Sequence, residues 1–168
     1  MRTLIALLLV LIATSASPQD PDSLVDPAAQ KALADSLSSL LRPESRVFLY
    51  AMHPELPRGR ARKRAEMFHG YRVLGRTEIK DQSERQALLD ALAEGVASSN
   101  GAIAYCFAPR HALRIETGDT RVDLNICFEC LQIHPVGIHG DRAIPVTRAP
   151  EVIFDASLKK HGLRKSKA

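Results

Sequence analysis

All three cysteines of this 168-residue chain, Cys106, Cys127 and Cys130, flank one turn sequence, Thr-Gly-Asp-Thr at residues 117–120. A glycine-containing turn of this kind is typical of a hairpin between two antiparallel strands. With Gly118 at the centre of a three-residue turn, Cys106 lies directly opposite Cys130, and a slip of one residue leaves them adjacent. Paired strand residues have Cβ atoms about 4.5–5.5 Å apart, close to disulfide distance. The hairpin is therefore predicted to hold a Cys106–Cys130 disulfide.

Three interpretations of the cysteines stay open. In the first, the Cys106–Cys130 disulfide staples the hairpin and Cys127 is left over. In the second, zinc or copper binds a Cys3His set with one further histidine in reserve: Cys106, His111, Cys127, Cys130 and His134. The spacing C-x2-C is standard for metal ligands. In the third, Cys127 and Cys130 are the redox pair of a thiol oxidoreductase, although such pairs normally begin a helix and this one follows a strand.

The N-terminal sequence predicts export from the cytoplasm. Arg2 precedes an apolar run at residues 4–13, and small residues follow. This pattern is typical of a signal peptide at residues 1–16, and the apolar run is shorter than the roughly 20 residues of a membrane-spanning helix. Polar residues 17–26 are predicted to form a flexible leader. A secreted or periplasmic protein meets an oxidising compartment, which favours the disulfide interpretation.

The remaining pattern predicts one α+β domain over residues 27–163 and a basic tail at 164–168. We expect a mainly antiparallel sheet of about four strands, with helices covering one face. The predicted strands are 46–52, 71–80, 102–107 leading into 110–116 across a proline, and 121–134. The predicted helices begin at Pro27 and after Asp81, and a short one lies near the C-terminus. Asp81 is a candidate N-cap, and Glu84 completes a capping box with it.

Positive charge is concentrated in one segment. Its five cations are Arg58, Arg60, Arg62, Lys63 and Arg64. Such a run could bind an acidic surface such as phosphate, lipid headgroups or polysaccharide, but it is more often a solvated loop. The net charge of +4 is no nucleic-acid signature by itself, and we expect no nucleic-acid partner. The chain also has no phosphate loop, nucleophile elbow or paired carboxylates of the kind that indicate an enzyme.

Several short segments carry a resemblance. They are FHGYRVLG at 68–75, CFAPRH at 106–111, ICFEC at 126–130 and, more weakly, APEVIFDASLKKHGL at 149–163. In order and spacing the chain resembles a group of uncharacterised secreted bacterial proteins, which more often have glycine where Ala112 stands. The resemblance implies a bacterial, exported protein and implies no activity.

The expectation from sequence is thus an exported binding or structural module, without a cofactor, whose hairpin is held by a disulfide. The alternatives are a zinc or copper protein and, third, a thiol oxidoreductase. The sequence names no ligand and no partner.

Overall fold

The structure is a computed structural model that describes residues 27–40, 42–57, 65–136 and 143–167. The predicted signal peptide, the leader and the basic residues of the segment 58–64 lie outside the described residues. Within the described segments, no helix combines the length and the apolar character needed to cross a membrane.

The described residues form three helices and seven strands. The helices are α1 (Pro27–Leu40), α2 (Gln82–Ala97) and α3 (Glu151–Lys160). The strands are β1 (Arg46–Met52), β2 (Met67–Phe68), β3 (Tyr71–Ile79), β4 (His111–Thr117), β5 (Thr120–Cys127), β6 (Gln132–Val136) and β7 (Ile144–Pro145). They make one antiparallel sheet in the order β2-β3-β1-β4-β5-β6-β7.

The predicted α+β class and antiparallel sheet are confirmed, but the sheet has more strands than the four expected. The predicted strand at 121–134 turns back at residues 128–131 and so supplies both β5 and β6. The short strands β2 and β7 extend the two edges of the sheet.

Alternation along the strands divides the sheet into two faces. On one of them, the helix face, apolar strand side chains such as Leu49, Leu113 and Leu124 pack in one core with residues of all three helices. The helices contribute Leu33, Leu37, Leu88, Leu89, Leu92, Val96, Phe154 and Leu158. Each such buried side chain stabilises the fold by about 1.5–3 kcal/mol relative to exposure, so this core is the main source of stability.

The opposite face, which we call the open face, carries a second and smaller cluster. Its buried members are Tyr50, Met52, Phe68 and Ala112, all from strands. Beside this cluster, β4, β5 and β6 place polar side chains on the same face. The open face therefore combines a small apolar cluster with polar side chains.

The β4–β5 turn is one residue shorter than predicted. Thr117 pairs with Thr120, so the turn contains two residues, Gly118 and Asp119. Gly118 has φ +56°, a left-handed conformation that glycine adopts at little cost, and glycine is favoured at the first position of some two-residue hairpin turns. The predicted register is therefore wrong by one residue, while the alternate apolar residues of β5 still face the core as expected.

Residues 102–107 do not form the predicted strand. The proline that follows them has no N–H to give to a strand ladder. The segment is held instead by separate hydrogen bonds across the end of the β5–β6 hairpin. The Ala104 N–H donates to the Cys130 carbonyl at 2.9 Å. The Gln132 side-chain amide donates to the carbonyls of Ala104 at 2.7 Å and Cys106 at 2.8 Å.

Asp81 caps α2 as predicted, but Glu84 does not complete the capping box. The Asp81 Oδ1 accepts the N–H of Glu84 at 2.8 Å. The Glu84 carboxylate accepts hydrogen bonds from three side chains at the C-terminal half of α3 and just after it: Ser157, Lys160 and His161. Burial raises the pKa of Glu84, but these bonds hold that pKa below its ordinary value. Glu84 thus joins two helices.

Gly95 is where α2 crosses the start of α3. A Cβ built there would lie 2.5 Å from Cγ of Pro150 and 3.2 Å from Cγ2 of Val146. Alanine is intrinsically better than glycine in a helix by about 1 kcal/mol, but overpacking costs about 1–3 kcal/mol. We expect Gly95→Ala to lower the free energy of unfolding in urea by about 1 kcal/mol net. The substitution Ala87→Gly, at an exposed position in the interior of the same helix, measures helix propensity, and a stabilised Gly95→Ala variant would contradict the close contact.

Candidate functional site

A buried carboxylate lies on the open face, in β5. Asp123 is 2% exposed and pairs across β4–β5 with Arg114. Its two oxygens accept hydrogen bonds from Nε of Arg114 at 2.7 Å and Nη2 at 2.8 Å. Burial raises the pKa of Asp123, but the hydrogen bonds from Arg114 and His69 hold that pKa below its ordinary value. The hydrogen bond to Asp123 also raises the pKa of Arg114, although burial opposes it, so the two groups form a charge-balanced pair.

His69 reaches Asp123 from the β2–β3 turn. Phe68 pairs with Tyr71, and the two-residue turn between them has φ +45° at His69 and +92° at Gly70. A left-handed conformation at a non-glycine residue costs roughly 1–2 kcal/mol. It brings Nε2 of His69 to 2.6 Å from Oδ2 of Asp123. The contact with Asp123 offsets the cost of the backbone conformation, and the turn in return fixes the imidazole ring over the open face.

Asn125 lies on the same face of β5 as Asp123, but its hydrogen bonding is incomplete. The residue is 4% exposed. Its Oδ1 has no hydrogen-bond partner within the described part of the chain. Leaving a buried polar atom unpaired costs about 1–3 kcal/mol. The Asn125 side chain lines a cavity of about 290 Å³ together with His69. Asn125 therefore carries an unused hydrogen-bond acceptor, Oδ1, beside this cavity.

Aromatic rings form the other wall of this cavity. His134 pairs with Asn125 across β5–β6, and its ring stacks on Phe107 with centroids 3.8 Å apart. The Tyr71 hydroxyl donates to the Phe107 carbonyl at 3.2 Å. The His134 Nε2 lies 3.1 Å from Oε1 of Gln132, which can only accept, so Nε2 carries the proton. Burial lowers the pKa of His134, so the ring is neutral at neutral pH.

A groove of about 880 Å³ begins at the same aromatic wall. It is lined by His53, Pro54, Glu55, Leu56, Pro57, Tyr71, Arg72 and Phe107. Tyr71 and Phe107 line both the groove and the smaller cavity. We call the residues of the smaller cavity that carry its chemistry the open-face site: His69, Tyr71, Phe107, Asn125 and His134.

The cysteines pair differently from the prediction. Cys127 and Cys130 form the disulfide, and Cys106 is free and exposed. The predicted Cys106–Cys130 disulfide depended on a strand at 102–107, and those residues are not a strand. The chain after β5 instead turns back at once, which places the Cys130 N–H 3.2 Å from Sγ of Cys127. The disulfide therefore closes the β5–β6 turn and not the β4–β5 hairpin.

The predicted Cys3His metal set is not assembled. Cys127 and Cys130 are bonded to each other, Cys106 faces solvent, and His111 is 1% exposed on the helix face. On the open face, the ring of His134 stacks on Phe107 and its Nε2 donates to Gln132. Among the described residues, no group of three or more His, Cys, Asp or Glu side chains is arranged to hold a metal ion.

His111 is a core histidine. Its ring packs against Phe128 and Phe154, with centroids 5.3 Å and 5.8 Å away. Its Nε2 lies 2.8 Å from Oδ1 of Asp155 in α3, and Asp155 also binds Lys165 of the C-terminal segment. His111 therefore ties β4 to α3, and Lys165 holds part of the predicted basic tail against the same helix.

Sequence reasoning missed His69, Asn125 and Phe107. One signal was available, because Asp123 and Asn125 alternate with the apolar residues of β5 and so had to share a face opposite the core. The residues that contact this face come from the β2–β3 turn and from β6. The sequence pattern did not predict either of these as a separate element.

Comparisons with known proteins assign no family. The chain was compared with family models, with curated proteins and with solved structures, and none matched. Its function is therefore inferred from the geometry of the open face.

Asp123→Asn tests the charge balance on the open face. The guanidinium of Arg114 would keep its partly buried position without the carboxylate that accepts its two hydrogen bonds, so we expect a loss of about 3 kcal/mol in the free energy of unfolding at neutral pH. The pKa of Asp123 is lower in the folded state than its unfolded value of about 3.9, so the stabilisation is present above that pH and is lost as pH falls through the folded pKa. Urea unfolding measured across this range should show the loss shrinking in acid. The exposed turn substitution Asp119→Asn is the control, with a change within about 0.5 kcal/mol.

Serine substitutions test the cysteine pairing. Cys130→Ser removes a disulfide that closes a very short loop, for which chain entropy predicts a loss of about 2 kcal/mol under oxidising conditions. Cys106→Ser changes an exposed thiol, and we expect a change within about 0.5 kcal/mol. Urea unfolding of both variants, with and without reductant, distinguishes them. A loss in Cys106→Ser as large as that in Cys130→Ser would contradict this pairing, because Cys130→Ser removes a Cys106–Cys130 disulfide as well as Cys127–Cys130.

Proposed function

We propose that this protein is an exported binding module whose open-face site takes a small uncharged ligand carrying an amide-type group. An amide-type group here means a donor and an acceptor held side by side in one plane. Export is proposed from the N-terminal sequence, and the Cys127–Cys130 disulfide is compatible with an oxidising compartment.

The observation that carries the proposal is the buried Oδ1 of Asn125, which has no hydrogen-bond partner among the described residues. An asparagine side chain offers donors and an acceptor side by side. A ligand amide is the complement of that arrangement. Oδ1 is fully buried, so the side-chain amide has to rotate toward the cavity for a ligand donor to reach it, and that bond would relieve the cost of leaving the atom unpaired. The strand positions on either side of Asn125 fix its backbone, so little order has to be gained on binding.

The charges around the site favour a neutral ligand. The carboxylate of Asp123 is already balanced by Arg114 through two hydrogen bonds. Burial lowers the pKa of His134 and raises the pKa of Tyr71, so both side chains are uncharged at neutral pH. A charged ligand would lose its hydration on entering without gaining an unpaired counter-charge among these groups.

The aromatic wall favours a flat ligand. The stacked rings of Phe107 and His134 lie 12° from parallel, and Tyr71 meets Phe107 edge-on at 77°. Their mutual contacts and the hydrogen bond from Tyr71 hold these rings in place. Ligand pockets of this type combine aromatic walls with a few polar groups that set orientation. A planar amide could lie along the wall with its polar edge on Asn125.

Benzamide is a suitable first probe, because benzoate is its charged counterpart and toluene lacks the amide. The chain has two asparagines, Asn125 and the exposed Asn100. Protein labelled with 15N-asparagine therefore gives two pairs of side-chain amide signals in a 1H–15N NMR spectrum, one pair from each residue, and Asn100 is an internal control. We expect benzamide to shift the Asn125 signal with a Kd of about 1 mM, as suits a fragment of this size. The Kd values of benzoate and toluene, followed through the same signal, should be at least about tenfold higher.

Asn125→Leu separates function from stability at the same residue. Leucine has a similar volume and no unpaired polar atom, so we expect the free energy of unfolding to rise by about 1 kcal/mol. The same change should weaken benzamide binding at least about tenfold, followed through the backbone signals of the open-face site. Asn100→Ala should leave binding unchanged. A folded wild-type protein whose Asn125 signal does not move up to the solubility limit of benzamide would overturn the proposal.

A further inference from the structure

The free cysteine lies beside the disulfide. Cys127 and Cys130 are 2% and 1% exposed, whereas Cys106 is exposed. The residues on both sides of Cys106 bond to the same partner: the Ala104 N–H donates to the Cys130 carbonyl at 2.9 Å, and the Ala108 N–H donates to Sγ of Cys130 at 3.4 Å. The backbone around Cys106 therefore runs directly over Cys130.

We propose that the protein carries out an intramolecular thiol–disulfide exchange in which Cys106 takes the place of Cys127 as the partner of Cys130. The Cys106 thiolate attacks Sγ of Cys130, so the Cys106–Cys130 bond forms and the Cys127–Cys130 bond breaks. Cys127 leaves as a thiolate and takes up the proton that Cys106 gave up. One disulfide and one thiol are present before and after the step, so no external oxidant or reductant is required.

The contacts favour attack on Cys130 over attack on Cys127. Both hydrogen bonds from the segment around Cys106 end on Cys130. The Cys130 N–H lies 3.2 Å from Sγ of Cys127 and donates to it, which stabilises negative charge on that sulfur as it leaves. A stabilised leaving thiolate speeds exchange, and this bond to Sγ of Cys127 is shorter than the 3.4 Å bond from the Ala108 N–H to Sγ of Cys130, which would favour the opposite direction of attack.

The exchange would regulate the open-face site, a consequence that rests on the proposed function. The Cys106 side chain faces solvent, so residues 105–107 must turn to bring its sulfur to Cys130. Phe107 is the next residue, and its ring is the stacking partner of His134. Gln132 bonds to the Cys106 carbonyl and to His134, so this turn would disturb both sides of the aromatic wall. We expect the exchanged form to bind benzamide at least about tenfold more weakly.

Peptide mapping of the wild-type protein tests the exchange directly. Oxidised protein is held at mildly alkaline pH, quenched with N-ethylmaleimide and cleaved after arginine and glutamate, which places the three cysteines in three separate peptides. We expect a minor population with Cys127 alkylated and the Cys106 and Cys130 peptides linked. Its rate of appearance should rise about tenfold per pH unit while the thiolate is the minor form. Alkylation at Cys106 alone, at every pH and time, would overturn the proposal.

Two variants test the choice of Cys130 whatever the equilibrium between the Cys127–Cys130 and Cys106–Cys130 disulfides in the wild-type protein. In a glutathione redox buffer, folded Cys127→Ser should form Cys106–Cys130, while the matched control Cys130→Ser should form Cys106–Cys127 at least about tenfold less readily. Equal or reversed yields would overturn the choice of Cys130.

Peptide mapping identifies the disulfide pairing without any ligand, so the exchange proposal and the benzamide proposal can fail independently. If Cys127→Ser binds benzamide equally in its oxidised and reduced forms, only the regulatory consequence is wrong.

Discussion

The alternation of side chains along β5 is the constraint on which the rest of the structure depends. Its apolar residues enter the core under the helices, while Asp123 and Asn125 point to the open face. Because the period is two, a slip of one residue would bury the carboxylate among the helices. β5 also lies between β4 and β6, so its register decides that Arg114 faces Asp123 and that His134 faces Asn125. The core and the candidate site are two sides of one strand.

The two polar residues of β5 are almost equally buried but differ in their hydrogen bonds. Asp123 is 2% exposed and accepts hydrogen bonds from Arg114 and His69. Asn125 is 4% exposed and leaves an oxygen unpaired within the described chain. A sequence shaped by stability alone would pair this atom or replace the residue with an apolar one. For that reason Asn125, and not the histidine–carboxylate contact beside it, is the stronger indication of a binding site.

Local elements could be predicted from sequence, and long-range contacts could not. The strand β1, the helix α2 with its Asp81 cap and the central hairpin follow from periodicity and turn residues within a few positions. The contacts of Glu84 with α3 and the turn that carries His69 depend on residues far apart in the chain. The disulfide shows how sensitive such contacts are. Irregular structure at 102–107, together with the turn at 128–131 directly after β5, was enough to give Cys130 a different partner.

Gln132 connects the segment around Cys106 with the aromatic wall of the open-face site. Its side chain donates to the carbonyls of Ala104 and Cys106 and accepts from His134, and the residue is 4% exposed. A buried amide with these bonds cannot follow a movement of the cysteine segment and also keep its contact with His134 unchanged, because each lost bond would leave a polar atom unpaired. The position of the cysteine segment and the shape of the aromatic wall are therefore energetically linked. Thiol chemistry and ligand binding, which the sequence suggests as alternatives, can on this geometry belong to one function.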